Sequence, residues 1–170
     1  SGHAIHLPFV VLWAGQLKVE RPELKIVLGG IGPTSVAHEL IEAFPWIDAV
    51  MKMEGERIVP ALVRGEPPAS LPGVVARVDG QVVCGPPRER IMDLDSLPWP
   101  AYDRLDFSQY RVLSIVGARG CPYNCSFCSV RSTWGPQVAY RDIDDIIAEL
   151  AMVNGRGIKE VWFEDPTFVL

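Results

Sequence analysis

Apolar positions in the first third of the chain recur with spacings that predict alternating helices and strands. Residues 7–20 carry apolar side chains at the spacing of one helical face, which predicts an α-helix. The run at 24–28 has the composition of a buried strand. A second short strand over 46–51 and a helix over 58–63 continue the alternation. Strand, turn and helix in this order are typical of a parallel α/β sheet.

A glycine-rich turn follows the first predicted strand and leads into another helix. Thr34 or Ser35 is placed to cap this helix, which is expected to end near Phe44. Gly29 and Gly30 would allow a nucleotide tail or a phosphate to approach the start of a helix closely. The alternative is a plain strand-to-helix turn that needs the left-handed backbone available to glycine.

The middle of the chain is richer in proline and glycine and predicts little regular structure. Apolar runs at 73–77 and 81–84 flank the pair Asp79-Gly80, which favours a tight β-hairpin turn. The remainder of this part contains several prolines, which interrupt both helices and sheets. We therefore expect residues 66–110 to form a linker that contains one hairpin.

The last third predicts a strand, a helix and a second strand. The strands are expected over residues 111–117 and 158–163, and the helix between them over residues 143–153. Asp142 precedes the helix and is a suitable N-cap. The helix is expected to bury an apolar stripe that consists of Ile143, Ile146, Ile147 and Leu150.

Composition and charge narrow the function classes. The chain has 170 residues, a formal net charge of −5 and 48% hydrophobic residues, enough for one good core or two smaller ones. It contains no basic run, so nucleic-acid binding is not expected. No apolar run approaches the ~20 residues that span a membrane. The first residues lack the basic start of a signal peptide, and free cysteines fit a reducing compartment, so we expect a cytoplasmic protein.

Cysteines supply the most informative chemistry of the sequence. Cys121, Cys125 and Cys128 lie within eight residues with the spacing C-x3-C-x2-C, which offers three thiolates to one centre. Zinc with a histidine as fourth ligand is the main alternative, but His3, His6 and His38 all lie far upstream. The pattern therefore favours an iron–sulfur cluster over zinc or structural thiols.

The cysteine loop resembles that of the radical S-adenosylmethionine (SAM) superfamily. The resemblance rests on the C-x3-C-x2-C spacing, on the aromatic Phe127 just before the third cysteine, and on the preceding segment 116–120. It implies that the three cysteines hold a [4Fe-4S] cluster whose remaining iron is open to SAM. It also implies that Phe127 lies near the adenine of SAM and that Glu164 and Asp165, at the end of a strand, contact its amino group.

The first half of the chain is similar to the cobalamin-binding domain that precedes the radical SAM domain in many enzymes. Residues 26–30, 47–50 and 54–56 carry this similarity, and residues 93–102 resemble the segment that joins the two domains. The similarity extends to the group that contains the anaerobic magnesium-protoporphyrin IX monomethyl ester cyclase. It implies that Gly29 and Gly30 contact cobalamin. The D-x-H-x-x-G motif that supplies a histidine to cobalt is absent from the sequence, so the resemblance leaves cobalamin binding open.

The two resemblances together imply an α/β fold with three parts. Residues 1–65 would be the C-terminal part of a Rossmann-like cobalamin-binding domain, residues 66–110 a linker, and residues 111–170 the first β-α-β of a radical SAM partial TIM barrel. We expect the chain to be part of a larger enzyme and inactive by itself.

The implied activity is reductive cleavage of SAM to drive radical chemistry, such as cyclisation or methylation. It would act on a small organic substrate, with a flavodoxin or ferredoxin as reductant. No catalytic side chain is identified. The alternatives are a non-catalytic cobalamin- or nucleotide-binding module and a zinc-stabilised domain.

Overall fold

A computed structural model describes residues 4–168 of the protein. Contacts divide the chain into two compact units, with the boundary between Arg90 and Ile91. The fold is mixed α/β. Within the described residues, no helix is both long and apolar enough to cross a membrane.

The first unit is built on a four-stranded sheet within the described residues, with the strand order β1-β2-β3-β4. Its elements in chain order are α1 (Leu7–Glu20), β1 (Val27–Leu28), α2 (Ile31–Ser35), α3 (Ala37–Ala43), β2 (Ala49–Met51), α4 (Ile58–Val63), β3 (Val74–Val78) and β4 (Gln81–Cys84). Strands β1 and β2 are parallel, whereas β3 and β4 are added antiparallel. The sheet is therefore mixed, because the predicted hairpin joins it as its third and fourth strands.

Most of the predicted elements of this unit are confirmed. The helices over 7–20 and 58–63 have the predicted bounds, and the hairpin turns at Asp79 and Gly80, which both have positive φ. The cap at Thr34 or Ser35 is wrong, because the helix already begins at Ile31 and is interrupted after Ser35.

Gly30 explains the earlier start of this helix. It precedes α2 with a φ of 102°, which a glycine adopts without the strain of a side chain. The hydroxyl of Thr34 donates to the carbonyl of Gly30 at 2.7 Å and accepts from the backbone N–H of Met53 at 2.9 Å. Thr34 therefore ties the helix to the chain after β2 instead of capping it.

The core of the first unit packs α1 and α3 against one face of the sheet. Its fully buried centre consists of Ile41, Ile47 and Val50. The indole N–H of Trp46 donates to the carbonyl of Val11 in α1 at 3.1 Å. Burial of such aliphatic side chains is the main driving force that orders the sheet.

The second unit contains a parallel strand pair connected through a helix. Its elements in chain order are β5 (Val112–Ile115), β6 (Ala118–Arg119), α5 (Val130–Trp134), β7 (Ala139–Tyr140), α6 (Ile143–Val153) and β8 (Glu160–Phe163). Strands β5 and β8 pair in parallel, with Val112 opposite Glu160 and Ile115 opposite Phe163. Strands β6 and β7 form a short antiparallel pair.

The segment 66–110 contributes to both units. Its hairpin belongs to the sheet of the first unit, and its residues from Ile91 onward belong to the second unit. There, Tyr102 and Phe107 pack with Val153 of α6. The carboxylate of Asp95 accepts the backbone N–H of Asp142 just before α6.

Helix α6 has the predicted bounds and the predicted cap, since the Asp142 carboxylate accepts the N–H of Asp144 at 2.8 Å. The predicted buried stripe is wrong for two of its four residues, since only Ile146 and Leu150 are half-buried. Ile143 is 72% exposed and Ile147 is 56% exposed, whereas Glu149 is 1% exposed. The helix thus turns a charged side chain inward and two isoleucines outward.

The inward face of α6 is organised by Arg141, which lies just before the helix. Its guanidinium donates to Asp145 at 3.1 Å through Nε and to Glu149 at 2.5 Å through Nη1. The hydroxyl of Tyr102 donates to the other oxygen of Glu149 at 2.6 Å, and the indole N–H of Trp99 donates to Asp145 at 3.0 Å. Burial and the Glu149 carboxylate raise the pKa of Tyr102 well above its ordinary value, so its hydroxyl stays a donor.

Removal of Glu149 should destabilise the second unit strongly. Glu149→Ala leaves the buried guanidinium of Arg141 and the hydroxyl of Tyr102 without their shared acceptor, which costs about 3–5 kcal/mol in comparable buried pairs. Urea unfolding measures the change in the free energy of unfolding, and hydrogen exchange of the α6 amides assigns it to the second unit. Asp144→Asn alters an exposed carboxylate of the same helix and should cost less than about 1 kcal/mol. Equal effects of the two substitutions would contradict this description of α6.

The contribution of Asp145 should depend on pH. Hydrogen bonds from Arg141 and then Trp99 hold the pKa of Asp145 below its ordinary value. The stabilisation is therefore complete above the unfolded pKa of about 4 and is lost as the pH falls through the lower folded pKa. Asp145→Asn should be less stable than the wild type at pH 6, and the difference should shrink below about pH 4. A difference that stays constant over this range in urea unfolding would count against the ion pair.

Candidate functional site

The cysteine motif forms an exposed loop between β6 and α5. Gly120 begins this loop with a φ of 109°, a conformation that favours glycine. Cys121 is half-buried, whereas Cys125 and Cys128 are exposed. The backbone N–H of Cys128 donates to the carbonyl of Cys125 at 3.1 Å, so the C-x2-C part of the motif is a closed turn.

The three thiols do not yet share a metal-binding geometry. Across residues 4–168, no three His, Cys, Asp or Glu side chains are arranged closely enough to hold a metal ion. The donor set nevertheless fits an iron–sulfur cluster, because the loop presents three thiols and no histidine or carboxylate between them. Metal sites commonly complete their geometry only when the metal binds. We therefore expect the exposed loop to close around its ligand.

The end of β8 contacts the approach to the cysteine loop. The backbone N–H of Gly117 donates to the carboxylate of Asp165 at 2.7 Å. A Cβ at Gly117 would lie 3.0 Å from the other carboxylate oxygen, so glycine keeps room for this contact. The hydroxyl of Ser114 in β5 donates to Glu164 at 2.9 Å. Glu164 and Asp165, the two predicted SAM contacts, thus bind the strand and turn that lead to the cysteines.

Phe127 points outward from the loop and is 91% exposed. An aromatic side chain this exposed has its ring face available to an adenine or another planar group. Arg119, at the end of β6, lies over the ring of Trp134, 5.8 Å from its centroid. Arg131 of α5 donates to the carbonyl of Pro122 at 3.3 Å, so the helix holds one side of the loop.

Gly29 and Gly30 lie in the first unit, after β1. Gly29 is buried, and a Cβ there would lie 2.6 Å from the Cε atom of Met51. What approaches Gly29 closely among the described residues is therefore the Met51 side chain. Gly30 has the positive φ that the turn requires. His3, considered as a zinc ligand, lies outside the described residues.

Sequence patterns missed two groups of residues near the site. Thr167 donates its hydroxyl to the sulfur of Cys121 at 2.9 Å. Arg141 donates to the carbonyl of Val116 at 3.0 Å and so fixes the strand end before the loop. The spacing of Arg141, Asp145 and Glu149 is a polar stripe at intervals of four residues, and this pattern could have indicated a charged inner face. No sequence signal marks Thr167.

The fold and the cysteine loop define a class of protein. A parallel β-α-β unit, whose first strand leads into a C-x3-C-x2-C loop, is the arrangement that the resemblance to radical SAM proteins implies. No protein-family model matches the chain. It is 34% identical over 155 residues to an uncharacterized methyltransferase of Pyrococcus horikoshii, covering 85% of this chain and 34% of that protein.

A second relative has a more specific name. The anaerobic magnesium-protoporphyrin IX monomethyl ester cyclase of Rubrivivax gelatinosus is 33% identical over 151 residues, covering 80% of this chain and 27% of the cyclase. The chain therefore spans between about a quarter and a third of the length of these curated relatives. It belongs to the cobalamin-dependent radical SAM group.

Two solved structures share the fold. The cobalamin-dependent SAM radical enzyme OxsB, with aqua-cobalamin and SAM bound, has a TM-score of 0.74 at 22% identity. The match covers 96% of this chain and 24% of the OxsB chain. The radical SAM methyltransferase TsrM of Kitasatospora setae, with cobalamin and a [4Fe-4S] cluster bound, has a TM-score of 0.67 at 21% identity. It covers 94% of this chain and 34% of its own. These neighbours bind the three cofactors that the sequence resemblance implies.

Proposed function

We propose that this chain is the part of a cobalamin-dependent radical SAM enzyme that holds the [4Fe-4S] cluster and the adjoining portion of the cobalamin domain. The observation that carries the proposal is the three-cysteine loop, which follows the first strand of a parallel β-α-β unit. The proposal is supported by the similarity of the chain to relatives that are named as a methyltransferase and a cyclase. The first unit would then be the C-terminal part of a Rossmann-like domain, and the second unit the start of a partial TIM barrel.

The cluster would be held by Cys121, Cys125 and Cys128. Three protein ligands would leave one iron free for SAM, and the cluster, when bound, would supply the electron for reductive cleavage of SAM. The protein's own contribution would be to position both groups. Phe127, through its exposed ring, would stack on the adenine.

The end of β8 would lie beside SAM. Active sites of β/α barrels collect at the carboxyl ends of the strands, and Glu164 and Asp165 follow β8 directly. Their carboxylate oxygens can accept hydrogen bonds from the amino group of SAM. Both side chains also accept hydrogen bonds from the β5–β6 segment, which orients one oxygen of each carboxylate and leaves further acceptor capacity for a ligand.

Cobalamin contact is proposed for the turn after β1. Gly29 and Gly30 stand at the carboxyl end of a parallel strand, where open α/β sheets bind their ligands. The two structural neighbours support this, because both hold cobalamin. His6 and His38 are exposed in the first unit, and neither follows a cobalt-binding motif. Cobalamin would therefore bind without a histidine ligand from this chain.

The substrate would be a small organic molecule that undergoes cyclisation, methylation or a related radical reaction. A low-potential reductant such as a flavodoxin or ferredoxin would supply the electron. The names of the relatives indicate different reactions. The chemistry common to the group would therefore be that of the cluster and SAM. The substrate would be determined by parts of the relatives that this chain does not match.

Anaerobic reconstitution tests the proposal. The reconstituted chain should hold about four irons and four sulfides, and SAM should change the EPR spectrum of the reduced cluster, because SAM would bind the open iron. Each of Cys121→Ala, Cys125→Ala and Cys128→Ala should lose most of the iron. Cys84→Ala is the matched control, since Cys84 is also exposed but lies on β4 of the first unit.

Two outcomes would contradict the proposal. One zinc ion per chain, with no response to SAM, would favour the zinc-stabilised domain. A cluster that forms equally well in all four cysteine variants would show that these thiols do not hold it. Equilibrium titration with cobalamin tests the other alternative, a binding module in which the cysteines are only structural. Cobalamin binding by a chain that holds no cluster would favour that alternative.

A further inference from the structure

The sulfur of Cys121 has a hydrogen-bond donor supplied by the protein. The hydroxyl of Thr167 lies 2.9 Å from it and donates to it. Both residues are half-buried, whereas Cys125 and Cys128 are exposed. The three thiols of the loop therefore differ in their surroundings before any ligand binds.

Thr167 is held in this position by the sheet, not by the loop. Strand β8 is in register with β5, with Phe163 opposite Ile115. The backbone N–H of Glu164 extends the pairing by donating to the carbonyl of Ile115 at 2.9 Å. Beyond that point, Asp165 accepts the N–H of Gly117 at 2.7 Å.

Pro166 follows Asp165 and restricts the backbone through its ring, which fixes φ near −65°. The chain from 163 to 166 is thus fixed by strand pairing, by a side-chain hydrogen bond and by proline. A hydroxyl placed by such a segment loses little freedom when it binds a partner. Thr167 therefore presents its donor at a defined place beside Cys121.

We propose that Thr167 is a positioning residue for the iron–sulfur site: it makes Cys121 the ordered ligand on which the exposed C-x2-C turn closes, and it raises the reduction potential of the cluster. The inference rests on the function proposed above. A hydrogen bond to a thiolate is charge-assisted and therefore stronger than one to a neutral thiol. The reduced cluster carries one more negative charge, so the donor stabilises the reduced form more than the oxidised form, and hydrogen bonds to sulfur are a recognised determinant of cluster potential.

The test compares Thr167→Val with Thr167→Ser after anaerobic reconstitution of the full chain. Valine keeps the shape of threonine and removes the donor, whereas serine keeps the donor and removes a methyl group. An EPR-monitored redox titration measures the midpoint potential, and iron content is measured in parallel. The valine variant should be harder to reduce by on the order of tenfold in the equilibrium constant, or 59 mV for one electron, while the serine variant should match the wild type.

Each result decides the proposal. A lower potential in the valine variant alone supports it, as does loss of iron from the valine variant alone. Equal potentials in the wild type and the valine variant overturn it while leaving the cluster assignment intact. Loss of iron from both variants also overturns it, because serine retains the hydroxyl. A wild-type chain that assembles no cluster overturns both this inference and the proposed function.

Discussion

The parallel pairing of β5 with β8 is the constraint on which the candidate site depends. It sets Ile115 opposite Phe163, so the residues that follow each strand emerge at the same edge of the sheet. One strand end continues into the cysteine loop, and the other continues into the segment that holds Asp165 and Thr167. A shift of the register by one residue would turn every side chain of β8 to the opposite face and would break the contacts of this segment with the loop. The chemistry of the loop is therefore anchored to regular secondary structure, which places side chains more accurately than loops do.

The second requirement is the polar network around Arg141, which decides how the connecting helix packs. Arg141 binds Glu149 and also the carbonyl of Val116, so one guanidinium joins α6 to the strand end before the cysteine loop. Such a network is costly unless every member is paired. The pairing turns Ile147 outward on the other side of the helix, where it is 56% exposed. The same network thus orders the approach to the cysteines and leaves an apolar helix face uncovered within the described residues.

Local signals predicted the elements well, whereas long-range contacts decided the site. The bounds of α6 followed from Asp142 and from apolar periodicity, and the β3–β4 hairpin followed from Asp79-Gly80, because caps and tight turns depend on neighbouring residues. The orientation of α6 could not be predicted from hydrophobicity, since one partner of Glu149, Tyr102, lies 47 residues away in the chain. The contact of Thr167 with Cys121 depends on strand register, which a single sequence does not specify. The described residues hold no preassembled metal site, so the assignment of the three thiols as ligands rests on the sequence motif.

The proposed function depends on one loop that closes around an iron–sulfur centre and leaves a coordination site for SAM. Mössbauer spectroscopy of the chain reconstituted with ⁵⁷Fe tests this most directly, because an iron whose ligands change also changes its isomer shift. We expect SAM to change the isomer shift of a single iron subsite and to leave the thiolate-bound irons unchanged. Iron that stays spectroscopically uniform when SAM is added, or iron that fails to bind at all, would contradict it.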